Sequence, residues 1–189
     1  MGPGKVRIIG GKWRGRSLKV LEVTGLRPTP DRVRETLFNW LAPFIVNARC
    51  LDLFAGSGAL GFESLSRGAK EVVFVDKYPP IVANIKRIAV ELDASKACEI
   101  IRASAVSFIT TQVTPLPFDI IFIDPPFASP LVKQSIEALA HSELIKNETL
   151  LYVESPQALT EQELPKGWEI LKAKTAGEVA YHLVKVNVT

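Results

Sequence analysis

The segment Asp52-Leu53-Phe54-Ala55-Gly56-Ser57-Gly58-Ala59-Leu60-Gly61 constrains the fold of this chain most. It follows a short apolar run, residues 49–53, and leads into a helical pattern, residues 59–67, ended by Gly68. Gly56, Gly58 and Gly61 have the spacing G-x-G-x-x-G, which turns a strand tightly into a helix. That spacing is a weak signal alone, but its surroundings strengthen it. Strands are expected at 71–76, 99–102, 118–124 and 150–154, with helices at 80–91, 104–110 and 131–141 between them. Such alternation predicts an α/β protein with a doubly wound, mostly parallel sheet and helices on both faces. Two further β-rich runs, 168–173 and 179–186, flank Thr175-Ala176-Gly177-Glu178. They read as an antiparallel C-terminal hairpin, bringing the sheet to seven strands.

The first forty residues differ. Val6–Ile9 and Ser17–Val20 flank Gly10-Gly11-Lys12-Trp13-Arg14-Gly15-Arg16, a glycine-rich β-hairpin with a basic tip. Thr29-Pro30-Asp31 is suited to open a helix, with Thr29 as cap, Pro30 in the first turn and Asp31 complementing the dipole. Val33, Leu37, Trp40 and Leu41 form its apolar face, and Pro43 closes it. The expected division is an extension at 1–41 and a main domain at 42–189. Residues 1–40 hold nine Lys or Arg against three acids, whereas the remainder holds fourteen against seventeen. A basic arm on a mildly acidic body points to a polyanion, most simply a nucleic acid.

At 189 residues and 47% hydrophobic, the chain suits one globular domain with a small appendage. Cys50 and Cys98 lie far apart with no Cys/His cluster, so no metal site and no disulfide is expected. The reading is of reduced thiols in a cytoplasmic protein. No stretch approaches the roughly 20 apolar residues of a membrane span. His141 and His182 have no partner pattern, and Glu154, at a strand end, suits a pocket, a cap or the surface equally.

Asp76 ends the strand after the glycine loop, where an acid normally holds ribose hydroxyls, so a nucleoside-containing cofactor is expected. Asp52 sits just before the loop, where a carboxylate repels phosphate but attracts an ammonium or sulfonium. S-adenosylmethionine offers both cations and no phosphate, and is favoured over a dinucleotide. A second motif, Asp124-Pro125-Pro126-Phe127, follows the apolar strand Ile120–Ile123. A carboxylate accepts from an NH2 group, prolines remove backbone donors, and a phenyl ring stacks on a planar base. The tetrad therefore suits a flat, amino-bearing group to be methylated.

Taken together, Asp52–Gly58 and Asp124–Phe127 resemble the class I S-adenosylmethionine-dependent amino-methyltransferases. Residues 7–16, 26–41, Tyr152-Val153-Glu154-Ser155 and Gly177-Glu178-Val179-Ala180-Tyr181 further resemble the RsmD family, the bacterial 16S ribosomal RNA guanine-(N2)-methyltransferases. The resemblance spans roughly Lys5 to Val186 and implies a Rossmann-like methyltransferase sheet. It implies methylation of one guanine N2 amine in 16S RNA, on the small ribosomal subunit or a late assembly intermediate; a monomer is expected. Cofactor contacts fall on Asp52, Phe54, Ala55, Gly56, Ser57, Gly58, Asp76 and Lys77, with Asp124 beside the donor. Ser104 and Ala105 are the candidates near adenine. Catalysis falls on Asp124, Pro125, Pro126 and Phe127. Lys12, Trp13, Arg14 and Arg16 are candidates for RNA contact, with Trp13 stacking or packing beneath. Arg27, Arg32 and Arg34 are candidates on the approach to the pocket, although Arg32 and Arg34 cannot share one helix face and one of them can pair with Asp31 or Glu35. The alternatives are DNA adenine or a protein glutamine amide as substrate, an NAD-dependent oxidoreductase, and a non-catalytic RNA-binding module.

Overall fold

A computed structural model describes residues 4–21, 29–111, 116–126 and 130–188. Strands β1 (Gly4–Arg7) and β2 (Ser17–Val20) pair antiparallel as a separate two-stranded sheet. Helix α1 (Asp31–Leu41) follows. Then come β3 (Arg49–Asp52), α2 (Ala59–Ser66), β4 (Glu71–Asp76), α3 (Pro79–Glu91), β5 (Cys98–Arg102) and α4 (Ala105–Thr111). The second half is β6 (Ile120–Ile123), α5 (Leu131–Ala140), β7 (Leu150–Ser155), β8 (Glu169–Ala176) and β9 (Val179–Lys185).

The main sheet has seven strands in the order β5-β4-β3-β6-β7-β9-β8. β3 to β7 are parallel, β9 runs antiparallel to β7, and β8 closes the edge. The expected doubly wound sheet with an antiparallel C-terminal hairpin is what forms. The hairpin strand β1 begins two residues before the expected Val6 and ends at Arg7.

The central strands are apolar on both faces because helices cover both. β6 is wholly buried, and its side chains alternate. Phe122 joins Cys50, Phe74 and Tyr152 on one face, against Phe38 of α1, Phe62 of α2 and Trp13 of the hairpin. Ile121 and Ile123 join Leu51, Val75 and Val153 on the other, against Phe108, Ile136 and Trp168. Both parts of the expected division, 1–41 and 42–189, contribute to the first cluster. Every residue of α2 is buried, because this helix lies between the sheet and the hairpin. The approach is close: a Cβ on Gly11, whose φ is +74°, would lie 1.8 Å from Ser66 O.

Among the described residues no helix is long and apolar enough to cross a membrane. Nor do those residues place three or more His, Cys, Asp or Glu where they could hold a metal ion.

Candidate active site

From β3 the chain winds outward through β4 and β5, then returns to lay β6 and β7 on the other side of β3. The strand order therefore reverses between β3 and β6, and a crevice opens beyond the carboxyl ends of such strands. Asp52 is the last residue of β3 and Asp124 the first after β6. Both line one cleft of about 320 Å³, together with Phe54, Ala55, Gly56, Ser57 and Thr29. Gly4, Lys5 and Val20 of the hairpin and Ile81 and Asn84 of α3 also line it.

Asp52 is almost wholly buried and accepts the Gly61 N–H at 3.3 Å. Burial pushes its carboxyl up to about 7; the Asp76 charge adds to this, while the Gly61 and Phe54 N–H groups oppose it. The turn at Gly58 has φ +76°, a left-handed conformation that favours glycine. The loop's amides are largely committed within the protein. Gly56 N–H donates to Asp76 Oδ2 at 3.0 Å, Gly58 N–H to Ala55 O at 2.6 Å and Ala59 N–H to Ser57 Oγ at 3.3 Å. Phosphate-binding loops present such amides to the anion. This loop instead offers a buried carboxyl group, which fits a ligand with positive charge.

Asp124 and Glu154 meet across a hydroxyl. Thr29 Oγ1 lies 3.1 Å from Asp124 Oδ2 and 3.0 Å from Glu154 Oε1. Tyr152 Oη donates to the same Glu154 oxygen at 2.6 Å. Burial raises the Asp124 carboxyl well above the usual range, and the Glu154 charge raises it further. Burial also raises Glu154, against the hydrogen bonds from Tyr152 and Thr29. Thr29 does not cap α1 as expected. Pro30 is the cap residue, without a side-chain bond, because the Thr29 hydroxyl is drawn to the carboxyl groups.

The other expected site residues divide. Asp76 is used locally, accepting from Gly56 and Tyr78 N–H groups at 3.0 and 2.9 Å. Lys77 is exposed and lies over the Tyr78 ring. Ser104 Oγ accepts the Ser107 N–H at 3.2 Å at the start of α4, and Ala105 is buried in the second core cluster. Pro125 is buried and Pro126 exposed. Phe127 and Arg27 lie outside the described residues. At the hairpin tip Lys12, Arg14 and Arg16 are exposed, whereas Trp13 is buried beneath Lys12 Nζ, 4.2 Å from its ring centroid. Trp13 therefore packs rather than stacks outward. Arg32 is exposed.

Arg34 requires correction as an RNA contact. It is wholly buried, donating to Asp31 at 2.6 Å and to Arg7 O at 2.8 Å, with Glu63 at 3.7 Å. Its guanidinium therefore has no surface to offer a phosphate.

Known proteins resemble this chain over nearly its whole length. The family described as Conserved hypothetical protein 95 matches residues 6–185. Ribosomal RNA small subunit methyltransferase D of Escherichia coli K12 is 45% identical over 182 residues, 96% of this chain and 90% of that protein. The protein of the same name from Haemophilus influenzae is 45% identical over 185 residues, 95% of this chain and 93% of that protein. The chain belongs to the RsmD family. The solved structure of yhhF from Escherichia coli superposes with a TM-score of 0.89 at 41% identity, covering 98% of this chain and all of that one.

One junction in this RsmD-family methyltransferase was not anticipated from its sequence. Glu63, fully buried on α2, accepts the Ile9 and Gly10 N–H groups at 2.8 Å each and pairs with Arg67 at 2.7 Å. Ser66 Oγ accepts the Trp13 N–H at 3.0 Å and donates to Gly10 O at 2.6 Å. The hairpin is thus fastened to the helix that follows the glycine loop. The available signal was an acid inside a helix whose other faces are apolar or small.

Proposed function

We propose that this protein transfers a methyl group from S-adenosylmethionine to the exocyclic N2 amine of a guanine in 16S ribosomal RNA of the small ribosomal subunit. The observation that carries the reading is the convergence of Asp52 and Asp124 on one cleft, at the ends of neighbouring parallel strands. The names of the Escherichia coli and Haemophilus influenzae relatives supply the substrate class.

When bound, S-adenosylmethionine supplies a methyl group made electrophilic by its sulfonium. Asp52 and the Phe54–Ser57 loop hold the donor, and Asp76 orders the loop by accepting from Gly56. Lys77 follows β4, Ser104 and Ala105 follow β5 at the start of α4, and the three bound the adenosine side. The guanine amine is a poor nucleophile because its lone pair is delocalised into the ring. The Asp124 carboxylate and the Pro125 carbonyl accept its two N–H groups and turn the lone pair toward the methyl group. Holding the two centres in line supplies much of the rate. Phe127 stacks on the ring, and the base leaves its stack to reach the cleft.

Lys12, Arg14, Arg16 and Arg32 meet RNA phosphates, and Lys5 lines the cleft. The protein acts as a cytoplasmic monomer on the subunit or its late assembly intermediate. Transfer of labelled methyl from S-adenosylmethionine to small subunits, naked 16S RNA and DNA tests this. Labelling of subunits or their RNA supports the reading, and labelling of DNA alone overturns it.

A further inference from the structure

Thr29 Oγ1 is within hydrogen-bond distance of a carboxyl oxygen on each side, Asp124 Oδ2 at 3.1 Å and Glu154 Oε1 at 3.0 Å. A hydroxyl carries one hydrogen. It donates to one of these groups only, and the other contact is a hydrogen bond only if that carboxyl group itself carries a proton. With both ionised, a contact without hydrogen would sit between two like charges in a buried site, which disfavours double ionisation. Tyr152 Oη marks the direction, because it donates to the same Glu154 oxygen at 2.6 Å. Glu154 is thus the better solvated anion. The chain of donors runs from Asp124 O–H to Thr29 Oγ1, and from Thr29 O–H to Glu154.

We infer that Thr29 and Glu154 form a proton relay that holds Asp124 as an acid in the empty cleft and converts it to a carboxylate when the positively charged donor and the target amine enter. This rests on the proposed role of Asp124 as acceptor of the amine N–H. The Asp124 O–H bond breaks as its proton passes to Thr29 Oγ1. The original Thr29 O–H bond breaks in the same movement, and its proton passes to Glu154 Oε1. No proton is gained or lost, and the negative charge moves from Glu154 to Asp124, next to the amine. After methyl transfer Asp124 takes the proton shed by the amine, and Glu154 loses its proton to water, which restores the starting state.

The relay crosses three elements far apart in sequence: the residues before α1, the end of β6 and the end of β7. The other titratable groups acting on it are Asp52, whose charge raises Asp124, and Tyr181, which acts on Tyr152. Burial first, and the Glu154 charge second, favour the protonated form of Asp124. Thr29 and Glu154 act through Asp124 and are positioning residues.

Two measurements test the relay. The first is carbon NMR of the protein labelled at its Asp and Glu carboxyl carbons, with Asp124→Asn and Glu154→Gln used for assignment. At pH 7 the ligand-free protein is expected to show Asp124 protonated and Glu154 ionised. Adding S-adenosylmethionine with a guanine-bearing oligoribonucleotide is expected to exchange the two states. Both groups ionised before and after addition would overturn the relay. The second is the single-turnover rate on small subunits at saturating donor. The wild-type rate is expected to be nearly flat from about pH 6 to 8, because the proton acceptor is internal. In Thr29→Val Asp124 must lose its proton to water, so the rate rises about tenfold per pH unit until Asp124 ionises and then levels off. A profile lowered equally at every pH would contradict the relay. If wild-type protein methylates no subunit RNA, the proposed function fails, and the carboxyl signals still decide the relay.

Discussion

Glu63 on α2 accepts the Gly10 N–H of the hairpin at 2.8 Å, so the basic arm is bonded to the helix that follows the glycine loop. The carboxylate also answers buried Arg34 and half-buried Arg67. Removing one member of a buried charge cluster leaves the others uncompensated. Glu63→Ala is expected to lower unfolding free energy by about 3 kcal/mol and to speed exchange of the Ile9 and Gly10 amides. Urea unfolding with hydrogen exchange reads both. Unchanged protection of those two amides would show that the bond does not hold the hairpin.

Asp52 links donor binding to pH. Its carboxyl titrates at about 7 in the folded protein, and a cationic ligand binds its ionised form. Affinity for S-adenosylmethionine is therefore expected to be constant above pH 7 and to fall about tenfold per unit below it. Calorimetric titration across that range, with proton uptake measured in two buffers, checks the sign. An affinity that improves as pH falls would contradict the assignment.

The same shift makes Asp52 a stability cost in the empty protein. A group whose pKa rises on folding contributes most below its unfolded value, here 3.8, and that contribution is lost as pH rises toward 7. Asp52→Asn is expected to stabilise the ligand-free protein at pH 8 by on the order of 1–3 kcal/mol while removing most donor affinity. Thermal melts with and without S-adenosylmethionine test the pair of effects. A destabilised variant would mean that the carboxylate bonds more to the Gly61 region than it loses by burial.

Much of the frame was legible, for a physical reason. The continuous apolar strand runs and the period-3.6 helical patterns of residues 49–154 are local, as is the backbone need for glycine at Gly58. Asp52 and Asp124 were legible because each ends an apolar strand, and strand order brings such ends together. Thr29 was not, since its hydroxyl serves carboxyl groups 95 and 125 residues away. Its neighbours Pro30 and Asp31 made a helix cap the natural local reading. Arg34 misled for a related reason. A helical arginine in a basic stretch reads as surface, and only the docked hairpin, with Arg7 O and Glu63, encloses it. Glu154 suits a pocket, a cap or the surface by its local sequence, and only the distant Thr29 hydroxyl, with Tyr152, gives it partners.

The hairpin tip provides a prediction independent of the cleft. Arg14 and Arg16 are exposed. Changing both to Glu is expected to weaken binding to small-subunit RNA and to reduce the salt slope of log affinity by about 2. Affinity for S-adenosylmethionine should stay within about twofold, since neither side chain lines the cleft. An unchanged slope would move the RNA contact away from the hairpin.

The central claim is that Asp124 presents a guanine amine of small-subunit RNA to the methyl donor. Its most direct test is mass mapping of methylated nucleotides in 16S RNA after unmethylated small subunits are incubated with S-adenosylmethionine and either wild-type protein or Asp124→Ala. The account predicts one N2-methylated guanine with wild-type protein. It predicts none with Asp124→Ala, whose donor affinity stays within a few-fold. Methylation at another atom, or equal N2 methylation by the variant, would contradict it.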